Sequence, residues 1–312
     1  MWWDIIEMIF WVGITDDDWY EQLSWLKPDE INFWQPGPTP PRRMEPGTPF
    51  LFKLHSPKNF VVGGGFFVRF SVLPCFLAWK VYGQNNGVRS LQQLVDRMTH
   101  YRHSAQSQGS QIGCNLLVDP FFFPEADWIP IPENFSRHIQ RGLTYDTSEK
   151  YGADLWAAVQ ERLARVSLFR SSGSMDGNER YGAPQIVAPR LGQCAFRIAV
   201  TDAYHRKCAI TTEKTLPALD AAHIKDYSES GPHEIANGLL LRADIHSLFD
   251  EGYVTINPAF EFLVSQRVEA EFSNGREYRR FHGLRLPNIP DAESDLPARK
   301  YLEWHNEHRF RD

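Results

Sequence analysis

Cysteine is scarce in this chain: there are four among 312 residues, and none forms a C-x-x-C pair. Scattered cysteines neither build a disulfide framework nor supply a Cys-based zinc site. A signal peptide is also missing, because the apolar start MWWDIIEMIFWVGIT has Asp4 and Glu7 but no Lys or Arg, and it is too short to span a bilayer. We therefore expect a buried first strand and a chain from a reducing, cytoplasmic compartment without a membrane partner.

Internal repeats and low-complexity tracts are absent, and the hydrophobic content of 42% and charged content of 23% are typical of a globular protein. A chain of 312 residues is long enough for two domains with separate cores. Nine of its ten tryptophans lie before residue 160. This asymmetry indicates that the two halves are different kinds of domain.

The net charge of −6 argues against a surface that is basic throughout, but the charge is unevenly distributed. Residues 31–110 contain nine Lys or Arg against two acidic residues, a local charge of 9 − 2 = +7, whereas the first thirty residues are strongly acidic. A local basic face can bind the phosphates of nucleic acid. The charge alone is equally compatible with an uneven solvated surface.

The pattern along the chain predicts strands and turns up to about residue 145, followed by a helix. Leu155, Val159, Leu163 and Val166 recur at helical spacing, and the Gly/Ser-rich string RSSGSMDGNERYGAP after them is typical of a linker. We predict an α+β protein with a partly closed β-barrel and flanking helices at residues 1–145, a connecting helix and linker at 146–187, and a second domain at 188–312.

The segment from Leu219 to Asp250, LDAAHIKDYSESGPHEIANGLLLRADIHSLFD, concentrates polar groups in the second domain. Its apolar runs predict a β-hairpin followed by a helix that ends before Gly252. The helix would bring His246 back towards the strand that carries His223. Phosphodiester hydrolysis needs a base and a stabilising cation, and a neutral imidazole with an ordinary pKa of about 6.5 suits the base.

The order and spacing of three residues in this segment resemble the motif of the HNH, or ββα-metal, nucleases. His223, Asn237 and His246 match the motif, with separations of 14 (237 − 223) and 23 (246 − 223). The flanking strings CAIT and LFDEG fit a subgroup of that family. The resemblance implies that His223 is the general base, that Asn237 fixes the loop and orients the base, and that His246 binds the metal.

The sequence departs from the commonest HNH pattern at one position, because Ala222 stands where many members have a metal ligand. Asp220 shares a strand face with that position and is assigned as a ligand with His246, and Asp250, one helical turn after His246, is the reserve. The resemblance implies one Mg²⁺ or Mn²⁺ per site. We expect His233, in a Gly-Pro loop, to be exposed to solvent and without a role.

The N-terminal half resembles EVE domains of the PUA superfamily, which are found fused to HNH domains in modification-dependent restriction endonucleases. The strings VGITDDDWY, NFWQPG, PFLFKLHSP and GGGFFVRFS carry this resemblance, which covers roughly residues 9–160. It implies a pocket for a flipped modified cytosine. We expect Trp34 to stack on the base or to belong to the barrel core, Asn32 or Gln35 to read the base edge, and the loop with His55 and Ser56 to close the pocket.

The two resemblances together imply a prokaryotic DNA endonuclease that cuts DNA containing 5-methylcytosine or 5-hydroxymethylcytosine as a restriction defence. Lys58 and Arg69 are expected to contact DNA phosphates. One HNH site cuts one strand, so cleavage of both strands needs a homodimer or two events. Two alternatives stay open: a reader of modified nucleic acid with an inactive nuclease site, and an HNH nuclease without modification preference.

Overall fold

The computed structural model describes residues 8–171 and 191–312, and the chain divides into two compact units, residues 1–189 and 190–312. Each unit has hydrophobic clusters of its own. The first seven residues of the predicted opening strand, and the predicted linker from residue 172 onwards, lie outside the described residues. No helix in the described part of the chain is long and apolar enough to cross a membrane.

Unit 1 combines one large sheet with helices, as the predicted α+β class requires. Its strands are β1 (Ile9–Thr15), β2 (Glu30–Gln35), β3 (Pro49–Leu54), β4 (Phe60–Pro74), β5 (Gln111–Phe122), β6 (Ile129–Pro130) and β7 (Gly142–Asp146). Its helices are α1 (Asp17–Leu26), α2 (Cys75–Tyr82), α3 (Leu91–Arg102) and α4 (Lys150–Ser171). The strands and helices predicted from the sequence pattern are therefore present here.

The seven-stranded sheet has the order β2-β5-β4-β3-β1-β7, with β6 added beside β4. β1 and β3 are parallel, and the other pairs are antiparallel. Within the described residues β2 and β7 do not pair, so this sheet is open and forms no closed barrel. Instead, β2 packs against the turn at Gly83–Asn86, where Asn86 accepts hydrogen bonds from Asn32 and Trp34.

The glycine run of β4 lets the neighbouring strands β3 and β5 approach its backbone closely. A Cβ atom at Gly63 would collide with the carbonyl oxygen of Phe121, and one at Gly64 would lie 2.6 Å from the Phe121 ring. The register with β5 shifts between Gly64 and Phe66. The glycines therefore permit a β-bulge and a close approach of neighbouring backbone.

Unit 2 is built from short elements around one core. Its strands are β8 (Leu219–His223), β9 (Gly238–Arg242), β10 (Val254–Ile256) and β11 (Phe262–Val264), in two antiparallel pairs. Its helices are α5 (Gln193–Ala203), α6 (Ala243–Asp250), α7 (Arg267–Phe272), α8 (Arg276–Arg279) and α9 (Arg299–His308). The core combines apolar residues of α5, β8, β9 and α6 with those of the second strand pair.

The predicted hairpin and helix are present as β8, β9 and α6. α6 begins directly after β9 and is amphipathic, with Ile245 and Phe249 buried below 2% exposure against the strands. The chain leaves the helix at Gly252, whose φ of +76° is a left-handed conformation that glycine adopts without strain. This ββα arrangement places the end of β8 and one face of α6 in the same region of unit 2.

Candidate functional site

His223 is the last residue of β8, and its imidazole is held by stacking as well as by the strand. Its ring stacks on Phe196 of α5, with centroids 4.0 Å apart and an interplanar angle of 11°. The cross-strand partner of His223 is Gly238, where a Cβ atom would collide with Val200 and crowd the Phe196 ring. The glycine therefore leaves the space in which Phe196 reaches the histidine.

Asn237 fixes the long loop between β8 and β9 from inside. Its side chain is fully buried; Oδ1 accepts from Lys225 N at 2.9 Å, and Nδ2 donates to the carbonyl oxygens of Lys225 and Pro232 at 3.0 Å each. The loop is thereby tied at its start, two residues after His223, and again at the residue before His233. A buried amide with these backbone partners makes the loop conformation costly to change.

His233 lies against His223 and is not the solvent-exposed residue predicted from its Gly-Pro loop. His223 Nε2 is 2.9 Å from His233 Nδ1, and Tyr227 stacks on the other ring with centroids 4.5 Å apart. Burial and, secondarily, the charge of His233 lower the pKa of His223 to about 4. His223 is therefore neutral at physiological pH and can accept a proton.

A third histidine, His246, faces this region from α6. Its Nε2 atom lies 3.3 Å from Asp250 Oδ2, one helical turn further on. His246 is near enough to His223 for its charge to contribute to the lowered pKa of His223. The predicted base and the predicted metal ligand are thus neighbours, as the ββα arrangement requires.

Two further acids flank these histidines but already have cationic partners. Asp226 pairs with Arg309 at the end of α9, and Asp220 Oδ1 pairs with Arg197 Nη2 of α5 at 2.8 Å. Desolvation raises the pKa of Asp250 above its ordinary value, and the charge of Asp226 adds to this effect. Asp250 is therefore a carboxylate that gains from a nearby cation.

Unit 1 contains a cavity of about 560 Å³ beside β1 and β2. Its walls include the aromatic side chains of Trp11, Trp19, Phe33 and Trp34. Polar and cationic groups converge on the same space: Thr15, Asp16, Gln35, His55, Tyr101, His103, Arg137, Gln140 and Arg141. An apolar cavity with a few convergent polar groups is the usual form of a small-ligand site, and its volume lies in the ordinary range of about 300–1,000 Å³.

The polar groups of the cavity are held in place by one another. Asp16 Oδ1 accepts from the Tyr101 hydroxyl at 2.6 Å, and Asp16 Oδ2 accepts from Arg97 Nη1 at 3.1 Å. His55 Nε2 lies 3.5 Å from the same carboxylate. Gln35 Nε2 donates to the carbonyl oxygens of Gly37 and Thr39, so the carbonyl oxygen of its amide is the group left for a ligand.

Among known families, residues 208–257 match the family HNH_2, described as HNH endonuclease. This region is an HNH endonuclease domain. It contains the three histidines, Asn237 and the acids described above. No curated protein matches the sequence.

Three solved structures are similar to larger parts of the chain. Two mutant forms of ZmASCH from Zymomonas mobilis are 13% and 11% identical, with TM-scores of 0.31 and 0.30. They cover 47% and 48% of this chain, and 96% and 94% of their own length is matched. A structure described as the modification dependent TagI restriction endonuclease is 11% identical, with a TM-score of 0.27, over 90% of this chain and 75% of that one.

HNH nucleases generally use a divalent metal, and the donors of this HNH domain fit such an ion in part. His246 and Asp250 offer one imidazole and one carboxylate to a common position. The predicted set of Asp220, His246 and Asp250 does not converge: among the described residues no three His, Cys, Asp or Glu side chains form a metal-binding group. Because Mg²⁺ keeps several waters and binds through one or two carboxylates and substrate phosphates, a two-donor site suits it when DNA supplies further oxygens.

Of the five pocket residues predicted in unit 1, three line the cavity and two lie elsewhere. Trp34, Gln35 and His55 line the cavity, although Trp34 is only 9% exposed and Gln35 only 8%. Asn32 is fully buried, does not line it, and donates to Asn86 Oδ1 at 2.8 Å; Ser56 lies in an exposed turn outside the cavity lining.

The basic face predicted from the local charge of +7 is partly neutralised by the acidic start of α1. Lys58 Nζ, a predicted phosphate contact, lies 2.8 Å from Asp17, and Arg97 pairs with Asp16 and Asp18. Arg69, the other predicted phosphate contact, is half-buried on β4. The two stretches of opposite charge in the sequence thus meet in space, which no local pattern revealed.

Proposed function

We propose that this chain is a modification-dependent DNA endonuclease. Residues 1–145 would be a PUA-like EVE domain that takes up a flipped 5-methylcytosine or 5-hydroxymethylcytosine, residues 146–187 a connecting helix and linker, and residues 188–312 the nuclease. The observation that carries the nuclease assignment is the HNH domain in which a neutral His223 lies near His246 and Asn237 anchors the loop after His223. A cytoplasmic enzyme of this kind would restrict modified foreign DNA.

The proposed hydrolysis uses His223 as the general base. A water molecule gives its proton to His223, its oxygen bonds to phosphorus, and the bond from phosphorus to the leaving sugar oxygen breaks. The leaving oxygen takes a proton from solvent. His246 and Asp250 would hold one Mg²⁺ or Mn²⁺, which supplies the positive charge that stabilises the pentavalent transition state.

The cavity of unit 1 supports the proposed reading of a base. An extruded base needs stacking surfaces and hydrogen-bonding groups for its edge, and the cavity offers aromatic walls together with Asp16 and Gln35. A carboxylate such as Asp16 accepts from the exocyclic amine of cytosine, as acidic side chains do in the major groove. Arg137 and Arg141 supply positive charge at the same cavity for the flanking phosphates.

The proposed function is tested by cleavage of matched plasmids that are unmodified or carry 5-methylcytosine or 5-hydroxymethylcytosine, each with and without Mg²⁺ or Mn²⁺. We expect cutting of a modified plasmid only, and only with the metal. Trp34→Leu keeps the position apolar but removes a stacking face, so it should weaken the preference for modified DNA. Trp25→Ala is the matched control, because Trp25 is 80% exposed on α1 and does not line the cavity.

Two other results of that experiment would change the assignment. Equal cutting of all plasmids would make the chain an HNH nuclease without modification preference. Binding of modified DNA without any cutting would make it a reader with an inactive nuclease site. One observation favours that second candidate: the predicted three-donor metal set does not converge, since Asp220 is paired with Arg197.

A pair of matched substitutions tests which carboxylate binds the metal, Asp250 or Asp220. We expect Asp250→Asn to lower the cleavage rate by at least roughly tenfold and to raise the Mg²⁺ concentration needed for half-maximal rate, the scale seen when groups that support a metal site are changed. Asp220→Asn should leave that Mg²⁺ concentration unchanged, because Asp220 neutralises Arg197 and not the ion. Titration of the cleavage rate with Mg²⁺ decides the matter, and the reverse pattern would make Asp220 the ligand.

A further inference from the structure

We propose that His233 is the positioning residue of the general base: it accepts a hydrogen bond from Nε2–H of His223 and thereby leaves Nδ1 of His223 as the nitrogen that takes the proton from water. The inference rests on the proposed nuclease function and assigns to that site a residue outside the HNH spacing. Three independent contacts carry it.

The first contact is the distance between the two imidazoles. His223 Nε2 and His233 Nδ1 are 2.9 Å apart, which is a hydrogen bond in which one nitrogen donates and the other accepts. A neutral imidazole has one protonated nitrogen, so donation from Nε2 leaves Nδ1 of His223 unprotonated. The partner of a histidine thus selects its tautomer, as the groups behind catalytic and metal-bound histidines do.

The second and third contacts fix both rings in this geometry. Phe196 stacks on His223 at 4.0 Å and Tyr227 stacks nearly parallel on His233 at 4.5 Å, so the pair is enclosed between two aromatic rings. Asn237 binds the carbonyl oxygen of Pro232, the residue before His233, at 3.0 Å. The buried asparagine therefore sets the position of His233 directly, and through it the orientation of His223.

Three titratable groups face His223. His233 and Asp226 face it from the loop and His246 faces it from α6, while Phe196 on α5 brings no charge; Asp226 is itself paired with Arg309. A protonated His223 would meet two further histidines and one neutralised carboxylate. To accept the bond from His223, His233 must keep Nδ1 unprotonated, and burial lowers the pKa of His233, so it faces His223 as a neutral ring.

The test compares His233→Ala, which removes the acceptor, with His233→Asn, whose side-chain oxygen can accept in nearly the same place. In single-turnover cleavage of the modified plasmid we expect His233→Ala to be slower by about tenfold to a hundredfold, and His233→Asn to recover most of that loss. His308→Ala, a change of an exposed histidine at the end of α9, is the control for a general effect of losing a histidine.

A second measurement does not depend on cleavage and separates this proposal from the proposed function. Imidazole ¹⁵N chemical shifts of the full chain should report one tautomer of His223, protonated at Nε2, in the wild type and in His233→Asn, and a mixture in His233→Ala. An unchanged tautomer in His233→Ala, or a wild-type cleavage rate in that variant, would overturn the proposal. If the wild type cuts no DNA, the nuclease proposal fails, and the tautomer measurement still decides the role of His233.

Discussion

Replacement of His223 by alanine should lower the single-turnover rate of DNA cleavage by about a hundredfold to ten-thousandfold, the range over which general acid–base groups contribute. His223 is the histidine whose pKa is lowered to about 4 beside His246, so it is neutral when a base is needed. DNA binding should persist, because the substitution removes a proton acceptor and not a cation. Cleavage rate and DNA affinity of the same variant are the two measurements.

The control for this prediction is His308→Ala, in the same unit. His308 is exposed, stacks on Trp304, and binds the backbone oxygen of that residue, so its loss should leave the rate within about twofold, as expected for a surface substitution that disturbs no special feature. Cleavage by His223→Ala at the rate of the control would mean that another residue is the base. Loss of both cleavage and DNA binding would point to misfolding, which thermal unfolding of the variant would reveal.

The hairpin and the helix of the HNH domain were predictable because their signals lie within a few residues of one another in the sequence. The spacing of His223, Asn237 and His246 and the apolar runs between them predict the hairpin and the helix, and the structure places these elements as expected. The position of His233 was not predictable, since it depends on a bond from the buried Asn237 side chain to the loop carbonyl before it. A Gly-Pro pair before a histidine indicates a turn, but not which way the turn faces.

The ion-pair partners of the carboxylates were not predictable either, because they come from segments distant in the sequence. Strand alternation suggests that Asp220 can face the position of Ala222, but nothing near Asp220 in sequence indicates that Arg197, on another element, binds it. Arg309, at the far end of the unit, likewise pairs with Asp226. Ion pairs between distant segments are fixed by tertiary packing, so a motif alone leaves the choice of metal ligand between Asp220 and Asp250 open.

In unit 1, likewise, the strands were predictable from the sequence, whereas the edges of the sheet and the cavity were not. Alternation and turn residues predict its strands well, because these signals act within a few residues. Whether the sheet closes depends on which strands meet at its edges, and the cavity is lined by residues from segments as far apart as Trp11, Tyr101 and Arg141. The sequence therefore indicates aromatic strands, whereas the polar groups that share their cavity appear only in the fold.

The substitution Asn237→Ala should lower both the stability of the nuclease unit and its cleavage rate per folded molecule. The change leaves the backbone NH and carbonyl of Lys225 and the carbonyl of Pro232 without their partner in a part-buried loop. At about 1 kcal/mol for each of these three groups, the lower end of the range for an unsatisfied group, this should cost roughly 3 kcal/mol. The free energy of unfolding measured in denaturant should fall accordingly. Cleavage per folded molecule should fall as well, because the loop that carries His233 loses its anchor.

Asn306→Ala is the matched control for this last effect. Asn306 also spans two backbone oxygens with its amide nitrogen, those of Ile256 at 2.8 Å and Leu302 at 2.6 Å, but it does so on α9. Its loss should lower the free energy of unfolding while the folded fraction still cleaves at the wild-type rate. Equal cleavage per folded molecule in the two variants would show that Asn237 serves only stability. A rate deficit confined to Asn237→Ala, with the His223 tautomer disturbed as well, would mean that this asparagine orients the base through the loop it holds.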